Sequence, residues 1–157
     1  MKSIALILAL LAASLAGQAA PDRPGHLYAD TFLALTTPDF QSETFGYGLG
    51  VGYQVNPNWG ADVRVFHEGL DVDGSTIEAI GGRLTARMPF KYLSPYGFLG
   101  GTFSLREDKW LIQPGAGIEV TLSKTKRRVA VFLEGQLNAD VNGSNTYGFA
   151  SGVRWRF

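Results

Sequence analysis

The chain has 157 residues, with 14 basic and 14 acidic side chains and no cysteine. That length fits one domain with its own core, and the balanced charge lacks the basic field that a nucleic-acid partner needs. Missing thiols exclude disulfides, cysteine nucleophiles and thiolate metal centres, while 20 Gly beside 10 Phe, 6 Tyr and 3 Trp point to strands and turns.

The first element is a leader. Lys2 precedes an apolar run, Ile4 to Ala16, that is too short for a bilayer span of ~20 residues. Small residues at Gly17 and Ala19 suit signal peptidase, so the cut is expected after Ala19, with Ala20 the alternative and Pro21 disfavouring it. Residues 1–19 are then a signal peptide and 20–157 a single exported domain. No cysteine follows the run, which closes the lipoprotein route, and no later apolar stretch reaches the ~18 residues of a membrane helix.

Beyond the leader, apolar residues recur at every second position and turn residues recur at intervals. The spacing predicts eight strands, at 26–37, 44–56, 58–68, 76–90, 94–106, 109–122, 127–141 and 145–157. The second is the clearest: Phe45, Tyr47, Leu49, Val51, Tyr53 and Val55 alternate with Gly46, Gly48, Gly50, Gly52, Gln54 and Asn56. The third sets Trp59, Ala61, Val63 and Val65 against Asp62, Arg64 and Phe66. The sixth sets Trp110, Ile112, Ala116 and Ile118 against Gln113, Gly115, Gly117 and Glu119, and the seventh sets Val129, Val131, Leu133 and Leu137 against Glu134, Gln136 and Asn138. In the first, fourth and fifth the alternation is broken, by "IGG" and "LGG" in the last two, so either a bulge or an error in the register count is expected there. The eighth carries Val153, Trp155 and Phe157 on one face and Arg154 and Arg156 on the other.

Alternation alone suits a soluble barrel with a greasy inside as well as a membrane barrel with a greasy outside. Side-chain volume separates them. An eight-stranded barrel has room inside only for side chains, so the glycine-rich, charged face belongs to the lumen and the apolar face to lipid. The inward set then holds Asp30, Asp62, Glu68, Glu119 and Glu134 with Arg64, Arg83, Arg87, Arg154 and Arg156. Charges in so narrow a space must be paired, and the planar guanidinium suits that task. Aromatics near strand ends, namely Tyr53, Trp59, Phe90, Tyr92, Tyr96, Trp110, Tyr147, Trp155 and Phe157, are expected to form lipid-facing girdles.

With its leader, eight alternating strands, "SPYGFLGG" (Ser94 to Gly101) and final "RWRF", the chain resembles the small bacterial outer-membrane β-barrels of the OmpA/OmpX type. The resemblance implies an all-β, eight-stranded antiparallel up-and-down transmembrane barrel in the bacterial outer membrane. It also implies contact with outer-membrane lipid and lipopolysaccharide, and a C-terminal assembly signal at Trp155 and Phe157 read by the outer-membrane assembly machinery. By the same resemblance, the turns at "NPNW", "FKYLSP" and "SKTKRR" are periplasmic and the loops from Thr37 to Glu43, Gly69 to Ser75, Glu107 to Asp108 and Asn142 to Asn145 are external. A monomer is expected.

Candidate chemistry is sparse. Glu68, Asp71 and Asp73 gather near Gly74, but Gly82 stands where an EF-hand loop needs glutamate, so they remain weak metal candidates beside a solvated acidic turn. Lys126, Arg127 and Arg128 read as a hydrated turn, and "NGS" at Asn142 to Ser144 as a hairpin turn. Barrel lipid A deacylases carry a His-x-Ser pair; here His26 and His67 lack that serine, and the charged lumen does not suit an acyl chain. No cofactor and no catalysis are expected. The expected role is structural or barrier-related. Its sharper version is a narrow gated ion pore in which Arg64, Arg83, Glu119 and Glu134, with Asp30 and Arg154 paired at the seam, form a movable plug. The alternatives are a surface module for adhesion or lipopolysaccharide binding and, behind it, a lipid-modifying enzyme.

Overall fold

The computed structural model describes residues 25–37, 44–68, 78–90, 92–105, 108–122, 129–140 and 145–157. The leader, the acidic loop holding Asp71 and Asp73, the basic turn at Lys126 to Arg128 and the sequence at Asn142 to Ser144 lie outside them. Eight strands follow in chain order: β1 (His26–Thr37), β2 (Thr44–Gln54), β3 (Trp59–Glu68), β4 (Ala79–Arg87), β5 (Leu93–Ser104), β6 (Lys109–Thr121), β7 (Val129–Asp140) and β8 (Asn145–Arg156). Each pairs antiparallel with the next, and β8 closes on β1 to complete the barrel.

The offset of the ladders sets the barrel's shape. From His26 the pairing runs through Gln54, Gly60, Thr85, Phe98, Gly115, Gln136 and Gly148, and returns to β1 at Thr36, ten residues further on. With eight strands ~4.8 Å apart and ~3.3 Å of rise per residue, that offset tilts the strands by about 40°. The expected bulges are not present: the registers of β1, β4 and β5 run without a break, from Ala79 opposite Ser104 to Arg87 opposite Tyr96. The doubled glycines of β4 and β5 are ordinary alternating positions that lack the side chains by which alternation is recognised.

Hydrophobic and polar residues are distributed inside out. Leu84 and Leu99, neighbours on the outer face, are 65% and 60% exposed, whereas Glu119 and Arg154 are 0% and 1% exposed. Burial of charge beside exposure of leucine is the pattern that a hydrocarbon surround selects.

Large lumen side chains stand beside glycines on the neighbouring strand. Tyr28 is opposite Gly52, Phe32 opposite Gly48, Phe98 opposite Gly115 and Phe132 opposite Gly152. The fit at Gly52 is tight, since a Cβ there would overlap the Tyr28 ring and lie 2.7 Å from the Ala61 carbonyl oxygen. We expect Gly52→Leu to destabilise the barrel by about 3 kcal/mol. Urea unfolding in lipid vesicles checks this, and an unchanged midpoint would show the ring can move aside.

At the end that carries the C-terminus, the β2–β3 turn is short and bonded locally. The Asn56 side-chain oxygen accepts from the backbone N–H of Asn58 and of Trp59, each at 2.9 Å, which tightens the β2–β3 turn. Phe157 extends β8 by donating its N–H to the Leu27 carbonyl at 2.9 Å.

An ionic cluster across the lumen as candidate functional site

Alternation on seven strands aims charged and aromatic groups at one level of the lumen, and β2 contributes glycines that leave room for them. Glu134 of β7 is the principal acceptor. It accepts from both Arg64 terminal nitrogens at 2.8 and 3.1 Å, from both Arg83 terminal nitrogens at 2.8 and 3.0 Å, and from the Tyr96 hydroxyl at 2.6 Å. Four strands, β3, β4, β5 and β7, are thereby tied through one carboxylate.

The other carboxylates extend the network. Asp62 accepts from Arg83 Nε at 2.7 Å and from the Tyr28 hydroxyl at 2.7 Å. Asp30 accepts from Arg64 at 2.9 Å and from Arg154 at 2.7 Å, the latter directly across the β1–β8 seam. Glu119 accepts from Arg154 at 2.7 Å and from Arg87 at 3.3 Å, and is paired with Arg156. The connection is continuous from Arg87 and Arg156 near the terminal end to Asp62 and Tyr28.

Aromatic rings complete the packing. The guanidinium of Arg154 lies 4.4 Å from the Tyr28 ring centre, that of Arg83 lies 4.5 Å from Phe98 and that of Arg64 lies 4.7 Å from Phe32. Cations stacked on ring faces, with their edges bonded to carboxylates, keep favourable contacts in directions where water would otherwise be needed. A buried ion with no partner costs several kcal/mol, so the cluster holds together as a unit.

Of the charged residues read from the sequence, the structure brings together Asp30, Asp62, Arg64, Arg83, Arg87, Glu119, Glu134, Arg154 and Arg156. Glu68 ends β3 opposite Gly46, and its side chain lies outside the described residues, as do the other two metal candidates, Asp71 and Asp73. Trp155 is on the outer face, but Phe157 is only 8% exposed rather than spread toward lipid. Tyr96 also departs from the girdle. On β5 the lumen face carries Ser94, Tyr96 and Phe98, while Gly97 is among the outward residues, so glycine and aromatic exchange the sides they take on β2. His67 packs against Tyr47 in a tilted arrangement with ring centres 5.1 Å apart, both on the outward parity of their strands.

Sequence reasoning missed the hydroxyls of Tyr28 and Tyr96 and the rings of Phe32, Phe98 and Phe132. A bulky residue two positions from an inward charge is the signal that finds Tyr28, Phe32 and Phe132, as in Tyr28-Ala29-Asp30-Thr31-Phe32 and Phe132-Leu133-Glu134, whereas β5 has no charge to mark Tyr96 and Phe98.

The sequence profile of the family described as "Outer membrane protein beta-barrel domain" matches residues 5–157. No curated protein sequence matches the chain. Among solved structures, a de novo designed transmembrane β-barrel aligns at 19% identity and TM-score 0.62, covering 87% of this chain and 99% of its own. Neisserial surface protein A aligns at 15% identity and TM-score 0.53, covering 85% and 97%. Ail, the attachment invasion locus protein of Yersinia pestis, in complex with the heparin analogue sucrose octasulfate, aligns at 16% identity and TM-score 0.50 with the same coverage. At these identities the likeness is one of fold.

Proposed function

The chain belongs to the outer membrane protein β-barrel domain family of the bacterial outer membrane, and on that premise we propose that it is a non-catalytic structural barrel with a permanently sealed lumen. The supporting observation is Glu134, which bonds Arg64, Arg83 and Tyr96 at once from three other strands. An ion passing this level must separate several buried charge pairs together, each at a cost of several kcal/mol. A gated pore needs a second arrangement of the same groups, and a cluster whose members share partners disfavours one. Proteoliposomes loaded with a chloride-sensitive dye test this: wild type leaks no faster than protein-free vesicles, and faster leakage would refute the seal.

In this reading the C-terminus and the short turns face the periplasm. Outward Trp59, Phe90, Trp110 and Tyr147 meet lipid headgroups, including those of lipopolysaccharide, at the two rims. Trp155 and Phe157 act as the assembly signal. Phe157→Ala is expected to lower the heat-modifiable, folded fraction in outer-membrane preparations several-fold, and an unchanged fraction would remove Phe157 from that role.

A further inference from the structure

On the loop side of the ionic cluster the lumen holds a partly open cavity of about 230 Å³, with Arg64 and Arg83 among its lining. Its two sides differ in chemistry. Strands β1 and β3 supply apolar surface from Phe32, Ala34 and Phe66. Strands β6 and β7 supply three amides, Gln113, Gln136 and Asn138.

The amide side keeps uncommitted donors. Asn138 Oδ1 accepts from Gln113 Nε2 and from Gln136 Nε2, both at 2.9 Å, and the Thr102 hydroxyl donates to Gln113 Oε1 at 2.6 Å. Asn138 Nδ2 donates to the Thr146 hydroxyl at 3.1 Å. Each amide nitrogen carries two N–H groups and commits one, so three N–H groups remain, while Asn138 Oδ1 already accepts two bonds and Gln113 Oε1 one. Arg64 and Arg83 likewise bring more N–H groups than their carboxylate partners absorb. Glu78 and Lys109 both line the cavity and Lys109 is 3.4 Å from Asp140, so these rim groups number two acids to one base and attraction of an anion falls to the guanidiniums and amides deeper in.

We infer that this vestibule is a binding site for a small carboxylate with a compact apolar body. Its carboxylate meets the amide and guanidinium donors and its apolar part lies against Phe32 and Phe66. A dry 150 Å³ cavity holds benzene, so this volume accommodates about nine or ten non-hydrogen atoms. The site lies on one side of the seal and requires no passage through it.

Benzoate, benzyl alcohol and benzylammonium share a ring and differ in the polar group, which makes them a matched set of probes. Each is titrated calorimetrically into the folded full-length barrel in detergent, with folding verified by heat-modifiable gel mobility. Benzoate is expected to bind saturably at one site, roughly tenfold or more tighter than either other probe. Gln136→Leu should weaken benzoate about tenfold. Ala34→Trp, which fills the vestibule from β1, should abolish saturable binding. Absence of saturable benzoate binding to wild type, equal affinity for the three probes, or wild-type affinity in folded Ala34→Trp would each overturn the assignment. The wild-type comparison stands even if a variant fails to fold.

Discussion

Replacing Glu134 by alanine is expected to lower the unfolding free energy of the barrel in lipid by about 3–5 kcal/mol. The change removes the carboxylate that accepts two bonds from Arg64, two from Arg83 and one from Tyr96. Both guanidiniums remain inside the barrel. Arg83 keeps Asp62 and Arg64 keeps Asp30, but each loses its bidentate partner and the charge balance of the cluster shifts by one. Tyr96→Phe serves as the graded control, because it removes one donor and no charge and should cost about 1.5–3 kcal/mol. Urea titration of both variants in vesicles gives the comparison. A Glu134→Ala loss no larger than that of Tyr96→Phe would mean that the arginines are adequately solvated by other means, and that the cluster is not a cooperative unit.

Leu99→Arg, at the middle of β5, is expected to cost about 2–4 kcal/mol in a bilayer. Leu99 is 60% exposed and pairs with Leu84, itself 65% exposed. In a barrel facing water, an arginine at so exposed a position would be nearly neutral. In hydrocarbon its charge must reach the interface from mid-strand, and the cost should fall to about 0–1 kcal/mol for the same substitution near a rim, as at Trp110. A depth-dependent penalty, measured by urea unfolding of Leu99→Arg and Trp110→Arg in the same vesicles, identifies the outer face as the lipid face. Equal and small effects at both positions would contradict it.

Much of this architecture is legible in the sequence because the side-chain period of a strand is local. On β2 and β6 one glance at alternate residues separates the face carrying Tyr47 and Val51, or Ile112 and Ile118, from the face carrying glycines. The same counting places Asp30, Arg64, Arg83, Glu134 and Arg154 on a common side. It falters at Gly81-Gly82 and Gly100-Gly101, where neither face has a side chain to mark it, and a bulge is then inferred that the continuous registers do not contain.

What cannot be read locally is who meets whom. Tyr96 looks like a girdle residue because it is aromatic and near a strand end. Its lumen position follows from β5 pairing, where it lies opposite Gly117, and from the carboxylate of Glu134, 38 residues away. The exchange of partners among Arg64, Arg83, Asp62 and Glu134 likewise depends on the ten-residue offset of the whole barrel, a property of no single strand. The vestibule is of the same kind. Gln113, Gln136 and Asn138 read singly as ordinary inward polar residues, and only closure of the barrel sets them across from Phe32 and Phe66.

In the proposed function these charges form a fixed seal rather than a gate. Single-channel recording of the purified wild-type protein in planar bilayers tests it most directly. The predicted trace is a silent baseline across moderate potentials of both signs. Reproducible unitary openings from the folded monomer would contradict the seal and return the cluster to the role of a moving plug.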